Sequence, residues 1–263
     1  MRTQNEQADG HLERAGLPVT DFGPVLAQER HPLLFATVSG AHLYGFPSAD
    51  SDVDLRGVHL LPAEDLVGLR GAEETRSRMW DADGVEMDLV THDLRTFVRL
   101  MLKPNGYVLE QLLSPLVVRT SEIHAELLAL APDVLTRNHA HHYRGFAGTQ
   151  WRLFEKTGEL KPLLYTFRAL LTGIHLMRAG EVLAHLPTLL GEVPAPAYLP
   201  GLIEAKAGAE HGAAGEEAGA VAARDVEALH GVLDRAQAGS RLPETAGGFD
   251  ALHDLVVRAR LGR

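Results

Sequence analysis

The sequence contains no cysteine among its 263 residues. Disulfide bonds and thiol chemistry are therefore excluded, although the absence of cysteine is compatible with any compartment. Long apolar runs are also lacking, because no stretch reaches the length that spans a bilayer. The first residues, Met1 to His11, are hydrophilic and carry no apolar signal region. We therefore expect a cytoplasmic location and no membrane partner.

Positive charge is scarce over the chain as a whole. The sequence has 25 Lys and Arg residues against 35 Asp and Glu residues, which gives a formal net charge of −10. The region from Arg137 to Arg178 departs from this balance, because its seven basic and two acidic residues give it a local charge of about +5. The hydrophobic content of 45% and the charged content of 23% are typical of a soluble globular protein.

One stretch in the first quarter of the chain predicts two strands joined by a phosphate-binding turn. An apolar run, Leu33–Val38, ends at Ser39 and Gly40, and a Gly- and Pro-containing segment then leads to Asp52 and Asp54 around a single valine. Side chains two residues apart in a strand share a face, so we expect the two carboxylates to project together. Since adjacent carboxylates repel each other, the pair favours a hard cation such as Mg²⁺, which binds oxygen ligands and substrate phosphates.

A later alternating stretch adds a third carboxylate. Val85 to Val90 places Glu86 and Asp88 on the face opposite to three apolar side chains. A strand here, beside the second strand, would bring Asp88 next to the aspartate pair. Three carboxylates from two adjacent strands, facing the Ser-Gly turn, would suit two cations that serve an in-line displacement at phosphorus.

Other interpretations of the aspartates are weaker. A calcium-binding loop requires Gly and then Glu at fixed positions, but Leu55 and Leu61-Pro62 stand there. A Walker-type phosphate loop requires a lysine after its glycines, and residues 39–45 contain none. A solvated acidic turn between strands remains open, although the upstream Ser-Gly turn and the downstream Asp88 favour a metal site.

The combined pattern resembles the DNA polymerase β superfamily of nucleotidyltransferases. More closely, residues 39–46, 50–56 and 88–97 are similar to the nucleotidyltransferases associated with bacterial RNA repair operons, the RlaP-like family. The resemblance extends over about residues 31–180. In the family the turn usually has Gly followed by Ser, whereas here Ser precedes Gly and an alanine takes the usual serine position.

The resemblance implies an α/β (α+β) fold, with a mixed nucleotidyltransferase sheet and a C-terminal helical domain. It also implies that Asp52, Asp54 and Asp88 hold two Mg²⁺ ions, with Mn²⁺ as a possible substitute. One ion would orient a nucleoside triphosphate, and the other would activate an acceptor hydroxyl. Ser39 and Gly40 would then bind the nucleotide, where backbone N–H groups can serve as donors.

Further nucleotide-binding residues are predicted outside the turn. They include Ser51 and Arg56, and the sequence leaves open whether Arg56 contacts phosphate or forms a salt bridge to a carboxylate. In the basic region, Lys161, Tyr165 and Arg168 share one helical stripe. We predict that this stripe neutralises phosphate charge, the alternative being an ordinary solvated face.

The chain is long enough for two domains with hydrophobic cores. We predict an N-terminal arm at residues 1–24, a catalytic core at 25–120 and a helical domain at 121–263, with an Ala/Gly-rich linker near 205–220.

The acceptor is the least constrained part of the prediction. The resemblance and the basic region favour an RNA 3′ end, tRNA-like or broken, and the net negative charge argues against binding of a long duplex. Two alternatives remain open. One is nucleotide transfer onto a protein or small-molecule hydroxyl, and the other is a non-catalytic nucleotide sensor, which has no need of the third carboxylate.

Overall fold

The structure, a computed structural model, describes residues 11–12, 15–19, 21–82, 84–208 and 216–262. Residues 1–10, 13–14 and 20 of the predicted arm and residues 209–215 of the predicted linker lie outside the described residues.

Residue contacts group the chain into two compact units. The first comprises Met1–Leu43, Asp52–Val134 and Ala246–Arg263, and the second comprises Tyr44–Ser51 and Leu135–Thr245. The domain boundaries expected from the sequence stay predictions.

A five-stranded mixed sheet lies in the first unit. Its strands are β1 (Leu33–Val38), β2 (Val53–His59), β3 (Thr75–Ala82), β4 (Val85–Asp93) and β5 (Val117–Arg119). They lie in the order β3-β4-β2-β1-β5, in which β2 and β4 are parallel and all other neighbours are antiparallel. The prediction that the strand beginning at Val85 lies beside the second strand is therefore confirmed.

Strand β3 is an edge strand that the sequence pattern does not predict. Its side chains alternate between exposed and half-buried, and the half-buried ones include Arg76, Arg78 and Trp80. The strand therefore lacks the apolar face that identifies β4. Its backbone pairs with β4 from Thr75 to Ala82, and this pairing, which depends on residues outside the strand itself, defines the strand.

The helices of the described chain are short around the sheet and longer in the second half. They are α1 (Gly23–Leu26), α2 (Gly40–Tyr44), α3 (Ala63–Val67), α4 (Leu94–Met101), α5 (Gly106–Leu112), α6 (Glu122–Val134), α7 (His139–Thr157), α8 (Leu160–Ala179), α9 (Leu186–Glu192), α10 (Leu199–Ala207), α11 (Glu216–Ala238) and α12 (Phe249–Leu261). Within the described residues, none of them combines the length and the apolarity that crossing a membrane requires.

Helix α4 packs against β2 and β4. Asp93 caps its N-terminus, because one carboxylate oxygen accepts a hydrogen bond of 3.0 Å from the backbone N–H of Arg95. The apolar side chains of one stripe are buried, namely Leu94, Phe97, Val98 and Met101. Aspartate is among the preferred N-cap residues, and the spacing of the buried side chains is typical of an amphipathic helix.

In the second unit, α7, α9, α10 and α11 pack against α8. Helix α8 is buried on opposite faces, with Leu163, Phe167, Leu171 and Ile174 on one face and Ala169 and Leu176 on the other. Burial of two opposite faces places this helix in the core of the unit. The mixed sheet and the helical region together confirm the fold class expected from the sequence.

Candidate active site

The pairing of β2 with β4 places two acidic side chains next to each other. Asp54 and Asp88 are direct partners in the parallel register, so both side chains project from the same face of the sheet. They are partly accessible, with 25% and 22% of the side-chain surface exposed. Asp52 directly precedes β2 and is partly exposed. The site therefore offers carboxylate oxygens that a ligand can reach.

The glycine after β1 makes room for one of these carboxylates. Gly40 has φ +61°, and a Cβ atom built on it would lie 1.9 Å from Oδ2 of Asp54. The preceding Ser39 donates its backbone N–H to the carbonyl oxygen of Asp54 at 2.8 Å. The Ser-Gly segment is thus fitted against the start of β2, and it begins the short helix α2 where the sequence predicted only a turn.

The Ser39 side chain supplies a free hydrogen-bonding group at this position. Its hydroxyl is buried, and among the described residues no partner forms a hydrogen bond with it. Buried polar atoms in folded proteins are nearly always paired, so this hydroxyl is a candidate hydrogen-bonding group for a ligand.

Arg56 lies between the two carboxylates. Its Nη2 atom is 2.6 Å from Oδ1 of Asp54 and 2.9 Å from Oδ2 of Asp88. Of the two contacts that the sequence left open for Arg56, the structure contains the salt bridge, and the phosphate contact stays a prediction.

The donor set suits a hard divalent cation, since Mg²⁺ and Mn²⁺ prefer carboxylate oxygens. Because Gly40 has no Cβ, the Asp54 carboxylate has the space that it needs to serve as a ligand of such a cation. Among the described residues, however, no three His, Asp or Glu side chains are grouped to hold a metal ion. The two paired carboxylates are bridged by a guanidinium instead.

The second unit contains the loop that leads into Asp52. In this loop the backbone N–H of Ser48 donates to the hydroxyl of Ser51 at 3.0 Å, and the two hydroxyls are 3.0 Å apart. Lys206, whose side chain is fully buried, donates from Nζ to the Ser48 hydroxyl at 2.7 Å. The predicted nucleotide-binding residue Ser51 therefore contributes here to the shape of its own loop.

Lys206 is a residue that the sequence analysis missed. It stands near the end of an apolar and Ala-rich segment, where a single lysine usually lies in solvent. The one feature of the sequence that could have indicated its burial is its isolated position among the apolar and alanine residues of α10.

The predicted basic stripe on α8 divides between exposed and buried positions. Lys161 and Tyr165 are partly exposed, whereas Arg168 is only 2% exposed. The guanidinium of Arg168 lies 3.9 Å from the ring centroid of Tyr44, a cation–π distance, and it also faces the ring of Phe146 at 5.6 Å. In this structure Arg168 packs against aromatic rings of its own unit, and its contact with a nucleotide stays a prediction.

Two further side chains beside the carboxylates were not singled out from the sequence. Met79 is the direct partner of Asp88 in the antiparallel register of β3 and β4, and it is 64% exposed. The hydroxyl of Tyr107, at the start of α5, accepts a hydrogen bond of 2.9 Å from Nε of Arg56. Both lie outside the motif, and only the strand register and the helix position bring them to the site.

Comparisons with known proteins relate this chain to a family and to individual proteins. A family model described as the RNA repair pathway DNA polymerase beta family, RlaP, matches residues 19–258. A protein of Methanocaldococcus jannaschii without an assigned function is 34% identical over 154 residues, an alignment that covers 56% of this chain and 61% of that protein. The chain thus spans less than two thirds of the length of this relative.

Among solved structures, a nucleotidyltransferase-like protein from Exiguobacterium sibiricum aligns with 97% of this chain and 80% of its own, at 9% identity and a TM-score of 0.32. The family match covers most of the sequence and includes every residue of the sheet. The chain belongs to the RlaP family, the RNA repair pathway branch of the DNA polymerase β type.

Proposed function

We propose that the protein transfers a nucleoside monophosphate from a nucleoside triphosphate to an acceptor hydroxyl, with an RNA 3′ end as the acceptor. The observation that carries the proposal is the pairing of Asp54 with Asp88 on one sheet face, beside the Ser39-Gly40 segment. Phosphoryl transfer needs little covalent chemistry from the protein, and it depends on positioning and on charge stabilisation.

The carboxylates of Asp52, Asp54 and Asp88 are the proposed ligands of a divalent cation, Mg²⁺ or Mn²⁺. When bound, such a cation offsets phosphate charge and lowers the pKa of the acceptor hydroxyl. The chain itself supplies the alignment of these ligands. Strand register sets Asp54 beside Asp88, and the absence of a Cβ on Gly40 leaves the Asp54 carboxylate in place.

The proposed reaction is a single displacement at the α-phosphorus. A bond forms between the acceptor oxygen and the α-phosphorus, while the bond from that phosphorus to the bridging oxygen breaks. Pyrophosphate leaves with the electron pair, and Asp88 accepts the hydroxyl proton. Ser39 supplies an unpaired hydroxyl as a hydrogen-bond donor to phosphate.

The acceptor is proposed to bind on the side of Asp88. Strand β3 is the edge of the sheet, and the exposed Met79 side chain stands opposite Asp88. Tyr107, 37% exposed, presents part of its ring beside Arg56. Thioether and aromatic groups next to a polar centre suit the flat face of a nucleobase.

The choice of RNA rests on two further supports. The matched family is described as belonging to an RNA repair pathway, and the region from Arg137 to Arg178 is locally positive. Lys161, Tyr165 and Arg168 are proposed as nucleotide-binding residues within that region. A short RNA end needs few neutralising cations, so the net charge of −10 is compatible with this acceptor.

The test is a labelling assay with each α-labelled nucleoside triphosphate, Mg²⁺, and a mixture of total RNA and cell protein. The wild type is compared with Asp54→Asn and with Asp50→Asn, which changes an exposed aspartate of the preceding loop. We expect label on RNA in the wild type and in Asp50→Asn, and a loss of label in Asp54→Asn by a factor of about 100 or more.

The same experiment separates the alternatives. Label on protein or on a small molecule would identify that molecule, rather than RNA, as the acceptor. Absence of label in every fraction, together with measurable triphosphate binding, would contradict the transferase proposal and favour a nucleotide sensor.

A further inference from the structure

Arg56 uses every hydrogen-bond donor of its side chain within the protein. Nε donates to the hydroxyl of Tyr107 at 2.9 Å. Nη1 donates to the carbonyl oxygens of Leu55 at 2.8 Å and Asp88 at 2.9 Å. Nη2 donates to the carboxylates of Asp54 at 2.6 Å and Asp88 at 2.9 Å. A guanidinium has five N–H groups in a fixed fork, so all of them are engaged.

The position of Arg56 in the strand explains this arrangement. It stands two residues after Asp54, so both side chains lie on the same face of β2. Asp88 lies directly across from Asp54 on β4. A long side chain that turns back along β2 therefore passes between the two carboxylates, and only 11% of its surface is exposed.

The contacts also keep Arg56 charged. Arginine stays protonated in proteins even where it is largely buried, so the guanidinium contributes a positive charge between the carboxylates of Asp54 and Asp88. Two neighbouring carboxylates need a compensating cation, and the described residues supply it from within the chain.

We propose that Arg56 is a built-in cation that aligns Asp54 with Asp88 while the site holds no metal, and that a divalent ion displaces it from at least one of them. The geometry carries this inference, because Nη2 occupies the position that a cation bridging Oδ1 of Asp54 and Oδ2 of Asp88 would take. Arg56 is in this sense a positioning residue that acts through the carboxylates. The inference rests on the proposed function in one respect, the presence of a divalent ion at these aspartates.

A purely structural salt bridge would behave differently. If Arg56 only stabilised the strands, its removal would lower stability and leave the affinity for metal unchanged or weakened, because the ligands would lose their alignment. If Arg56 competes with the metal, its removal takes away both a competing ligand and a repelling charge. The sign of the change in metal affinity therefore separates the two roles.

The experiment measures Mn²⁺ binding to the nucleotide-free full-length protein, by the loss of the electron paramagnetic resonance signal of free Mn²⁺. The variants are Arg56→Gln, which removes the charge, and Arg56→Lys, which keeps the charge without the fork. Arg95→Gln is the matched control, because Arg95 forms a partly exposed pair with Glu74 at 2.6 Å within the same unit. Circular dichroism verifies that each variant is folded.

We expect Arg56→Gln to bind Mn²⁺ at least about tenfold more tightly than the wild type, because a positive charge beside the cation is gone. The Mn²⁺ affinity of Arg56→Lys is expected to lie between those of the wild type and of Arg56→Gln. Without metal, Arg56→Gln should melt at a lower temperature than the wild type, and Mn²⁺ should raise its Tm by a larger increment. Arg95→Gln should lower the Tm and leave the Mn²⁺ affinity at the wild-type value.

Unchanged or weaker Mn²⁺ binding in Arg56→Gln would overturn the inference, as would tighter binding that survives an added Asp54→Asn substitution. The labelling assay reports separately on the proposed function. Transfer by the wild type together with unchanged Mn²⁺ affinity in Arg56→Gln overturns only the role of Arg56. Absence of transfer together with tighter, Asp54-dependent Mn²⁺ binding overturns only the transferase proposal.

Discussion

Single residues at the carboxylate face act through close contacts. Gly40 is the sharpest example, because its positive φ and its missing side chain are both required where Asp54 stands. Ser39 contributes differently, since its backbone is tied to β2 and its hydroxyl is unpaired among the described residues. The geometry of the site therefore depends on the missing side chain of Gly40 as much as on the side chains around it.

Substitution of Gly40 by alanine is expected to abolish transfer while the protein still folds. The new Cβ would lie 1.9 Å from Oδ2 of Asp54, so the carboxylate must move, and we expect activity to fall by a factor of about 100 or more. Steady-state transfer rates, with folding followed by circular dichroism, provide the measurement.

Gly158→Ala is the matched control for Gly40→Ala. Gly158 has φ +70°, and an added Cβ there would meet no atom of the described residues within 4 Å. It shares the backbone strain, of about 1–2 kcal/mol, and lacks the steric conflict. Equal loss of activity in both variants would contradict the role assigned to the Gly40 contact.

A buried ion pair connects the start of α4 to α12 in the first unit. Asp93, at the start of α4, is fully buried, and Nη2 of Arg260 in α12 lies 2.8 Å and 3.0 Å from its two oxygens. The same carboxylate accepts the backbone N–H of Leu61 at 3.0 Å, and Arg260 also donates from Nη1 to the carbonyl oxygen of Leu61. The pair thus joins the last helix to the sheet core.

Removal of this arginine is expected to destabilise the first unit. Arg260→Ala leaves the buried carboxylate without its cation, a change that costs about 3–5 kcal/mol in other proteins. Urea denaturation gives the free energy of unfolding. The neighbouring Arg258→Ala serves as a control, because Arg258 pairs with Glu126 at the surface, and we expect almost no change there. Similar losses in the two variants would refute the anchoring role of Arg260.

For the molecule as a whole, the burial of histidine side chains makes the free energy of unfolding depend on pH. Burial is the main cause that lowers the pKa of His59 to about 4 and of His139 to about 4. Both rings are therefore neutral in the folded protein at pH 5, whereas the unfolded chain protonates them below about pH 6.5. Protons thus bind preferentially to the unfolded state between about pH 6.5 and 4.

The free energy of unfolding is therefore expected to fall as the pH is lowered from 7 to 5. Each of these two histidines lowers the free energy of unfolding by an amount on the order of 2 kcal/mol at pH 5, and this contribution levels off below about pH 4. Denaturation at pH 7, 6 and 5 measures the slope. His59→Asn should reduce the slope and His253→Asn, at an exposed position, should not; a slope unaffected by His59→Asn would contradict this account.

Local patterns were sufficient to predict the elements that carry the site. Alternation of apolar and acidic residues identified β4, and the apolar run before Ser39 identified β1. Both patterns could be recognised because they consist of consecutive residues. The place of this strand beside the second one was a separate hypothesis, and the β2–β4 register confirms that the two strands are neighbours. The family was recognised from the resemblance of the motif to known nucleotidyltransferases, and the fold class is the one that this resemblance implied.

Contacts between distant segments were decided only by the tertiary structure. The strand β3, the buried Lys206 and the ring contact of Arg168 have no distinguishing local pattern, because each depends on partners that lie far away in the sequence. Arg56 shows the difference most clearly. The sequence by itself determined its type and its strand face, but only the pairing of two parallel strands decided that its guanidinium lies between two carboxylates, since hydrogen-bonding partners are set by register and packing.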